Sequence, residues 1–174
     1  AKIAGIKMCE NYNIQYKTNY KCLMPTNTFG PNDSYDTLNS HFFPALIKKV
    51  HDLKLNKKKE LILWGNGLAK REVLYVDDLA DACIFFMKKN FFGTTLNIGT
   101  GKDFPIKQYA KMILDKIIPK NKIKIKYDLS KPNGTPRKIL DIKLANKFGW
   151  KHKTKLDEAI KKTYKDFLEN NKIV

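Results

Sequence analysis

Apolar and polar residues follow two different periods along this chain. Short apolar runs at 21–24, 60–64, 73–76 and 95–98 predict buried strands, and alternation of apolar residues with lysine at 123–127 predicts a half-exposed strand. Between these runs, apolar residues recur at helical spacing, which predicts helices over 1–16, 40–55, 77–89, 105–117, 141–148 and 156–169. Strands that alternate with helices indicate an α/β domain.

Several helix starts carry their own signals. Ser40 is a candidate N-cap, with Pro44 in the first turn that follows. The pair Asp77 and Asp78 suits the positive end of a helix dipole, and Pro105 suits a first helical position. These residues predict the beginnings of three of the helices.

The segment 25–41 concentrates polar chemistry after an apolar strand. Two prolines and a glycine restrict it, which predicts a loop that starts where the strand ends. Hydrogen-bonding and proton-transfer groups come from Asn27, Thr28, Asn39, Ser40 and His41. Open α/β folds place ligands in loops at the carboxyl ends of strands, so the segment is a candidate site. A polar surface loop without function is the alternative.

Length and composition limit the classes of protein. A chain of 174 residues, 43% hydrophobic, suits one packed domain or part of a larger one. No apolar run approaches the ~20 residues that span a bilayer, and the first residues lack a signal-peptide core. The chain starts at Ala1 without an initiator methionine, inside a helical pattern, so we expect a partial chain.

The formal charge of +17 raises the question of a nucleic-acid partner. Only Arg71 and Arg137 are arginines among the 34 basic residues, whereas nucleic-acid binding favours the planar arginine fork. We therefore expect a solvated lysine surface and no nucleic-acid partner, with a polyanion patch as the alternative.

Three cysteines, Cys9, Cys22 and Cys83, show neither metal-ligand spacing nor a disulfide framework. Their apolar neighbours predict buried free thiols, and the reduced thiols suggest a cytoplasmic protein without a metal site. Two histidines, His51 and His152, lie among lysines and are expected to be solvated.

A set of motifs resembles the GDP-L-fucose synthases, bifunctional epimerase/reductases of the extended short-chain dehydrogenase/reductase superfamily. The resemblance covers nearly the whole chain. Three pieces, Gly30-Pro31, Val76-Asp77-Asp78 and Asn97-Ile98-Gly99, also recur in other nucleotide-sugar epimerases and dehydratases. Closer to GDP-L-fucose synthase are the runs Asn39-Ser40-His41 and Gly134-Thr135-Pro136-Arg137-Lys138.

The resemblance implies the C-terminal part of such an enzyme. Residues 1–38 would end the NADP-binding Rossmann half, and 39–174 would form most of a mixed α/β substrate-binding domain, with segments that return to the Rossmann sheet. The glycine-rich cofactor motif and the catalytic tyrosine, serine or threonine and cysteine would precede Ala1. We therefore expect the fragment to be inactive alone, and the full-length protein to be a homodimer.

The implied reaction is the NADP-dependent 3,5-epimerisation and 4-reduction of GDP-4-keto-6-deoxy-D-mannose to GDP-L-fucose, which makes the enzyme both an isomerase and an oxidoreductase. Protons next to a ketone can be removed, and inversion needs a base on one face and an acid on the other. Histidine titrates near neutral pH, so His41 suits the acid. Lys2 aligns with the lysine of the superfamily's Tyr-x-x-x-Lys pair, which acts in catalysis and binds the nicotinamide ribose.

The remaining site residues follow from the same resemblance. NADP(H) would contact Lys2, Pro25, Thr26, Asn27, Thr28 and His41, and the GDP-sugar would contact Asn27, Ser40, Lys49, Trp64, Arg71 and Lys138. Lys49 stands where the family usually has an arginine, which supplies the charge without the fork. Trp64 follows an apolar strand, so a place in the core is the alternative for it.

Two other functions stay open at this point. One is another nucleotide-sugar epimerase or dehydratase of the same superfamily, which would bind uridine or thymidine nucleotides. The other is a basic nucleic-acid-binding or scaffolding module, whose binding would fall steeply with salt.

Overall fold

The computed structural model describes residues 1–36, 39–89, 93, 95–120 and 122–170. Helices and strands alternate along the chain, so the predicted α/β class is confirmed. The elements are α1 (Lys2–Tyr16), β1 (Cys22–Pro25), β2 (Asn27–Phe29), α2 (Phe42–Leu55), β3 (Glu60–Trp64), β4 (Lys70–Tyr75), α3 (Val76–Met87), β5 (Thr95–Ile98), β6 (Asp103–Pro105), α4 (Ile106–Ile117), β7 (Lys124–Asp128), β8 (Arg137–Lys138), α5 (Lys143–Lys147) and α6 (Leu156–Asn170).

The strands form three small groups. β1 pairs with β5 and β3 pairs with β7, both in parallel. The third group is mixed: β4 lies between β2 and β6, parallel to the first and antiparallel to the second, and its first two residues also pair with β8. β4 therefore pairs directly with β2 and β8, the strands that carry the predicted site residues Asn27 and Lys138.

Two hydrophobic cores meet at β4. The larger contains Phe43 of α2, Leu61 of β3, Ile113 of α4 and Phe167 of α6, and the smaller contains residues of α3, β5 and α5. Side chains alternate across a strand, and here Val73 and Tyr75 enter the larger core while Leu74 enters the smaller one. The strand therefore ties the two cores together.

The sequence predicted a loop over the segment 25–41, but part of this segment is a strand. Residues Asn27–Phe29 form β2, paired with Val73–Tyr75 of β4. Three residues are too few for a visible alternation, and the pairing is long-range, so the sequence pattern could not reveal it. Thr26 separates the two strands, and its N–H bonds the carbonyl of Ile98 at 3.0 Å. The chain thus changes from the β1 sheet to the β4 sheet at Thr26.

Two helix starts differ from prediction. The N-cap of α2 is His41, because the N–H of Ser40 still bonds the carbonyl of Asp36 at 2.9 Å in the preceding turn. Pro105 is the N-cap of α4, since it pairs with Lys70 at the end of β6. The acidic pair in the first turn of α3 and the position of Pro44 in the first turn of α2 are confirmed.

Strands β6 and β8 were also missed, and the predicted strand at 73–76 begins earlier, at Lys70. Both missed strands have three residues or fewer, and each pairs with the polar start of β4. β6 and β8 are therefore strands because they pair with β4, which is distant in the sequence, and their local sequence patterns are too weak to predict this.

The cysteine and histidine predictions need correction. Cys83 is exposed and Cys9 and Cys22 are half-buried; the apolar neighbours Met8 and Ile84, which had suggested burial, are themselves exposed. His51 is buried, with Nδ1 3.0 Å from the hydroxyl of Tyr164, and His152 is half-buried. The neighbouring lysines did not indicate exposure, since Lys48 and Lys49 are themselves half-buried.

In the described part of the chain, no helix is long and apolar enough to cross a membrane. The described residues also contain no group of three or more His, Cys, Asp or Glu side chains placed to hold a metal ion. Residues 37 and 38, at the predicted boundary between the two domains, lie outside the described residues.

Candidate functional site

Two clefts collect most of the predicted site residues. The first, which we call the His41 cleft, has a volume of about 470 Å³. One wall is the junction of β1 and β2, the other is the segment that follows β8, and His41 lies between them. Its lining residues are Pro25, Thr26, Asn27, Thr28, His41, Lys138, Ile139 and Leu140.

The second, the Trp64 cleft, has a volume of about 280 Å³ and begins at Ser40, next to His41. It lies between the first turns of α2, the end of β3 and the loop between β7 and β8. Its lining residues are Ser40, Phe42, Ala45, Leu46, Lys49, Leu63, Trp64, Ile106, Pro132, Asn133 and Gly134. The predicted residues for cofactor and for substrate thus fall largely into two adjoining clefts.

His41 has the geometry of a group that is free to react. As the N-cap of α2 it has an extended backbone, with φ −62° and ψ 158°, but its side chain does not cap the helix. Its imidazole makes no hydrogen bond to any described residue. Nearby, burial raises the pKa of the Asp33 carboxyl, while the Ser34 N–H and the charge of His41 oppose that shift. Asp33 and His41 together line a separate, smaller pocket of about 200 Å³.

The wall at 26–27 is anchored from behind. The side-chain amide of Asn27 donates a hydrogen bond to the backbone carbonyl of Glu72 at 2.8 Å, and the hydroxyl of Thr26 donates to the same oxygen at 3.2 Å. These bonds fix the Asn27 amide plane and leave its oxygen as the group available to a ligand.

Trp64 is half-exposed, so its alternative assignment to the core is wrong. The ammonium groups of Lys49 and Lys131 lie 5.1 and 5.6 Å from the centre of its ring. Desolvation by burial lowers the pKa of the Lys49 ammonium. Two cations at one aromatic ring form a surface that attracts an anion with an apolar or aromatic part.

Ser40 contributes an unusual polar atom. Its hydroxyl oxygen is buried and has no hydrogen-bond partner among the described residues. Leaving a buried hydroxyl unpaired costs about 1–3 kcal/mol. Because Ser40 lines the Trp64 cleft, a polar ligand atom there would satisfy this hydroxyl.

Arg71 lies beneath the loop that precedes β8. Its Nη1 donates to the carbonyl oxygens of Lys70 and Thr135, at 2.7 and 2.6 Å, and Gly134 packs against its Nη2. Arg71 is therefore held by backbone groups at the side of the Trp64 cleft, whose lining includes Gly134. Lys138, the register partner of Arg71 on β8, lines the His41 cleft.

Two predicted site residues, Arg71 and Lys2, line neither cleft, and Lys2 is far less enclosed than Arg71. It is exposed on α1, a helix whose described residues include no buried side chain. A further cavity of about 470 Å³, behind β4, is lined mainly by apolar residues such as Tyr109 and Ile160 and by none of the predicted site residues.

Three residues of the site were missed in the sequence. Lys131 and Asn133 lie just before the Gly134–Lys138 run that carried the family resemblance, but nothing in their spacing pointed to Trp64 or to the turn at Gly65. The Asn133 carboxamide oxygen accepts the N–H of Asn66 at 2.7 Å, which joins the two loops around the Trp64 cleft. Glu72 follows Arg71 directly and is fully buried. It directly precedes the apolar run 73–76 but follows a charged residue, so the local sequence gave no signal of its burial.

Comparison with known proteins gives a consistent result. Residues 1–99 match the family described as "NAD dependent epimerase/dehydratase family". The chain is 44% identical over 170 residues to a probable GDP-L-fucose synthase 1 of Oryza sativa subsp. japonica, covering 98% of this chain and 51% of the relative. It is 40% identical over 179 residues to the GDP-L-fucose synthase of Escherichia coli K12, covering 98% and 55%.

Among solved structures, the chain is similar to a GDP-D-glycero-L-gluco-heptose synthase of Campylobacter jejuni crystallised in the presence of NADPH. The TM-score is 0.82 at 31% identity, and the match covers 97% of this chain and 58% of that one. The chain therefore spans about half the length of the curated relatives it matches.

Proposed function

The chain belongs to the NAD dependent epimerase/dehydratase family, and from that premise we propose that it forms the substrate side of a GDP-L-fucose synthase. The reaction is the NADP-dependent epimerisation of GDP-4-keto-6-deoxy-D-mannose at C3 and C5, followed by reduction at C4. The observation that carries the proposal is the placement of an unbonded His41 imidazole between the 25–28 wall and Lys138 in one cleft.

His41 performs the acid step of the epimerisation. The ketone at C4 acidifies the C–H bonds at C3 and C5, so a base removes one of these protons to leave an enolate. The His41 imidazolium then delivers a proton to the opposite face of the same carbon, and the configuration inverts. By the family resemblance, the base is a cysteine that precedes Ala1.

The walls of the His41 cleft fit a nicotinamide and a sugar. The Asn27 amide, fixed by the Glu72 carbonyl, presents an oxygen that can accept a hydrogen bond from a carboxamide or a hydroxyl. NADPH, when bound, supplies the two electrons that reduce C4. Lys2 lies on a helix outside the cleft, and we propose that it orients the nicotinamide ribose together with the tyrosine that precedes it.

The Trp64 cleft binds the GDP part of the substrate. Lys49 and Lys131 are cations beside the Trp64 ring. Arg71 on β4 and its register partner Lys138, which lines the neighbouring His41 cleft, add positive charge. Charge-assisted hydrogen bonds from these groups would hold a diphosphate, while the ring stacks on an aromatic or apolar part of the ligand. Ser40 would donate its unpaired hydroxyl to the same ligand.

The two cores support the proposed division of the chain. The smaller core, built on β1, β5, α3 and α5, would belong to the Rossmann half, and the larger core to the substrate-binding domain. Exposed apolar side chains on α1, such as Ile3 and Ile14, suit burial by a remaining Rossmann half and a second subunit. We propose a cytoplasmic homodimer for the full-length protein.

The test uses the full-length protein, NADPH and three 4-keto-6-deoxy sugars that carry GDP, UDP or dTDP. We expect NADPH oxidation with the GDP sugar and at least about a hundredfold lower kcat/KM with the other two, because a site built for one base leaves its polar groups unpaired with another. Faster turnover of the UDP or dTDP sugar would assign the chain to another nucleotide-sugar enzyme instead. No turnover of any sugar by a folded, NADPH-binding protein would contradict the proposal.

A further inference from the structure

Glu72 is the fully buried acidic residue at which the two cores meet. It lies on β4, and its side chain points to the same side of the strand as Leu74. One carboxylate oxygen, Oε1, accepts the N–H groups of Thr100 and Gly101 at 2.6 and 2.7 Å. The other, Oε2, accepts the N–H of Leu140 at 2.9 Å. A single side chain thus bonds two segments that lie far apart in the sequence.

The backbone of Glu72 bonds a third segment. Its carbonyl oxygen accepts the hydrogen bonds from Thr26 and Asn27. Thr26 and Asn27 form one wall of the His41 cleft, and Leu140 belongs to the other. Both walls of the cleft are therefore held by the same residue, one through its backbone and one through its carboxylate.

The Glu72 carboxylate is closely packed on the side of Gly99. Gly99 packs directly against it, and a Cβ at Gly99 would overlap Oε1. Three N–H groups around a carboxylate give it the charge-assisted bonds that offset its burial. The spacing between the two cleft walls is consequently fixed by the length of the Glu72 side chain.

We propose that Glu72 is a positioning residue for the reaction at the His41 cleft. It touches neither substrate nor cofactor. It sets the distance between the Thr26 and Asn27 wall, where the nicotinamide binds, and the wall that carries Lys138. A displacement of reacting groups by about 1 Å can lower a rate by about a hundredfold, so this spacing controls turnover. The inference rests on the proposed function.

The first test is Glu72→Gln in the full-length protein. The amide oxygen can still accept the Thr100 and Gly101 N–H groups, but its NH2 then faces the Leu140 N–H, donor against donor. We expect kcat to fall by about tenfold to a hundredfold. KM for the GDP-sugar should change far less than kcat, by no more than about threefold, because Lys138 is the one proposed diphosphate contact on the displaced wall, while Lys49 and Trp64 keep their places in the Trp64 cleft.

A matched control separates positioning from general destabilisation. Thr163 is also fully buried, and its hydroxyl donates to the carbonyl of Ala159 at 2.8 Å within α6, away from both clefts. Thr163→Val removes a buried hydrogen bond and should lower Tm with kcat unchanged. An equal fall in kcat in both variants, after matching for folded fraction, would overturn the inference.

A second pair of variants tests the fixed length directly. Gly99→Ala should displace the carboxylate and reproduce the loss of kcat. Glu72→Asp withdraws the carboxylate by one methylene, which makes room for the new methyl group. If the two substitutions acted independently, the fold-losses of kcat in the single variants would multiply in the double variant Glu72→Asp with Gly99→Ala. We expect the measured kcat of the double variant to be at least about tenfold higher than that product gives. Additive losses would contradict the inference.

A measurement without catalysis distinguishes this inference from the proposed function. In Glu72→Gln, hydrogen exchange at the Leu140 amide should accelerate more than exchange at the Thr100 and Gly101 amides. If the wild type turns over no GDP-sugar, the proposed function fails whatever the exchange shows. If the wild type is active but Glu72→Gln keeps both the protection of the Leu140 amide and the wild-type kcat, the positioning role of Glu72 is wrong and the proposed function stands.

Discussion

Arg137 and Asp103 form a two-bonded ion pair directly beside Lys138. The Nε and Nη2 groups of Arg137 donate to the two oxygens of Asp103 at 2.5 and 3.2 Å, and the Asp103 side chain is only 8% exposed. The pair joins β8 to β6 across β4. Arg137 thereby holds the strand that presents Lys138 to the His41 cleft.

Replacing the acid of this pair should weaken ligand binding. We expect Asp103→Asn to lower GDP affinity by about threefold to tenfold, because β8 loses a charge-assisted anchor and Lys138 loses its fixed position. Calorimetric titration with GDP measures the effect. Asp141→Asn is the control, since its exposed pair with Lys143, at 3.7 Å, lies outside the clefts and should not change affinity. Equal affinities for wild type and Asp103→Asn would refute this anchoring role.

The same ion pair predicts a pH dependence of stability. Its hydrogen bond from Arg137 lowers the pKa of Asp103 below the ordinary value. A carboxyl with a lowered pKa binds protons more weakly in the folded protein, so its stabilisation is present above the unfolded pKa of about 3.9 and is lost as pH falls through the folded value. Urea unfolding between pH 6 and pH 3 should show a smaller acid-induced loss of stability in Asp103→Asn than in the wild type.

His51 predicts that the free energy of unfolding also depends on pH in a higher range than the Asp103 pair does. Desolvation by burial lowers the pKa of its imidazole, so the unfolded chain binds the proton more tightly. Stability is then complete above the unfolded pKa of about 6.5 and falls as pH drops below it. We expect His51→Gln to reduce the loss of unfolding free energy between pH 7 and pH 5. The control His152→Gln should keep the wild-type slope, and an unchanged slope in His51→Gln would argue against this role.

The sequence predicts the bounds of an element well where its apolar residues repeat regularly along one face. The helices α4 and α6 and the strands β3 and β5 lie within a few residues of their predicted bounds, because each buries one regular face. The sequence also predicts Pro25, Thr26, Asn27, Thr28 and His41 as site residues, and the structure places them in one cleft. Their identification depended on family motifs, whose polar residues have no periodicity of their own.

The features that the sequence did not predict depend on contacts between residues that are far apart in the chain. β2, β6 and β8 exist because they pair with β4, and no local pattern of three residues or fewer encodes that pairing. Glu72 similarly appears as one acidic residue in a strand, although its bonds reach residues 28 to 68 positions away. The burial of His51 depends on Tyr164 and Phe167 of a distant helix.

Ser40 gives a prediction that separates stability from binding. Its buried hydroxyl has no partner among the described residues, so Ser40→Ala should leave the unfolding free energy unchanged or slightly higher in the absence of ligand. GDP-sugar affinity should fall by about threefold to tenfold, corresponding to one lost hydrogen bond of about 1 kcal/mol. Ser130→Ala, which removes a hydroxyl bonded to Asp128 at 2.6 Å, is the control for affinity. An unchanged affinity in Ser40→Ala would place the hydroxyl outside the ligand site.

Two neighbouring lysines of α2 test the Trp64 cleft. Lys49 lies 5.1 Å from the Trp64 ring centre, whereas Lys48 pairs with Asp52 at 2.5 Å. We expect Lys49→Met to weaken GDP binding by about tenfold, because the diphosphate loses a partly desolvated cation. Lys48→Met removes the same charge from the same helix and should change affinity by less than about twofold. Similar losses in both variants would indicate a general effect of surface charge.

The proposed epimerisation depends on proton transfer by His41. The most direct measurement incubates the full-length protein with GDP-4-keto-6-deoxy-D-mannose and NADPH in D2O, and follows by NMR the product inverted and deuterated at C3 and C5. We expect the wild type and His152→Gln to form this product at similar rates, and His41→Gln to form it at least about a hundredfold more slowly. Inversion at the wild-type rate in His41→Gln would contradict the account.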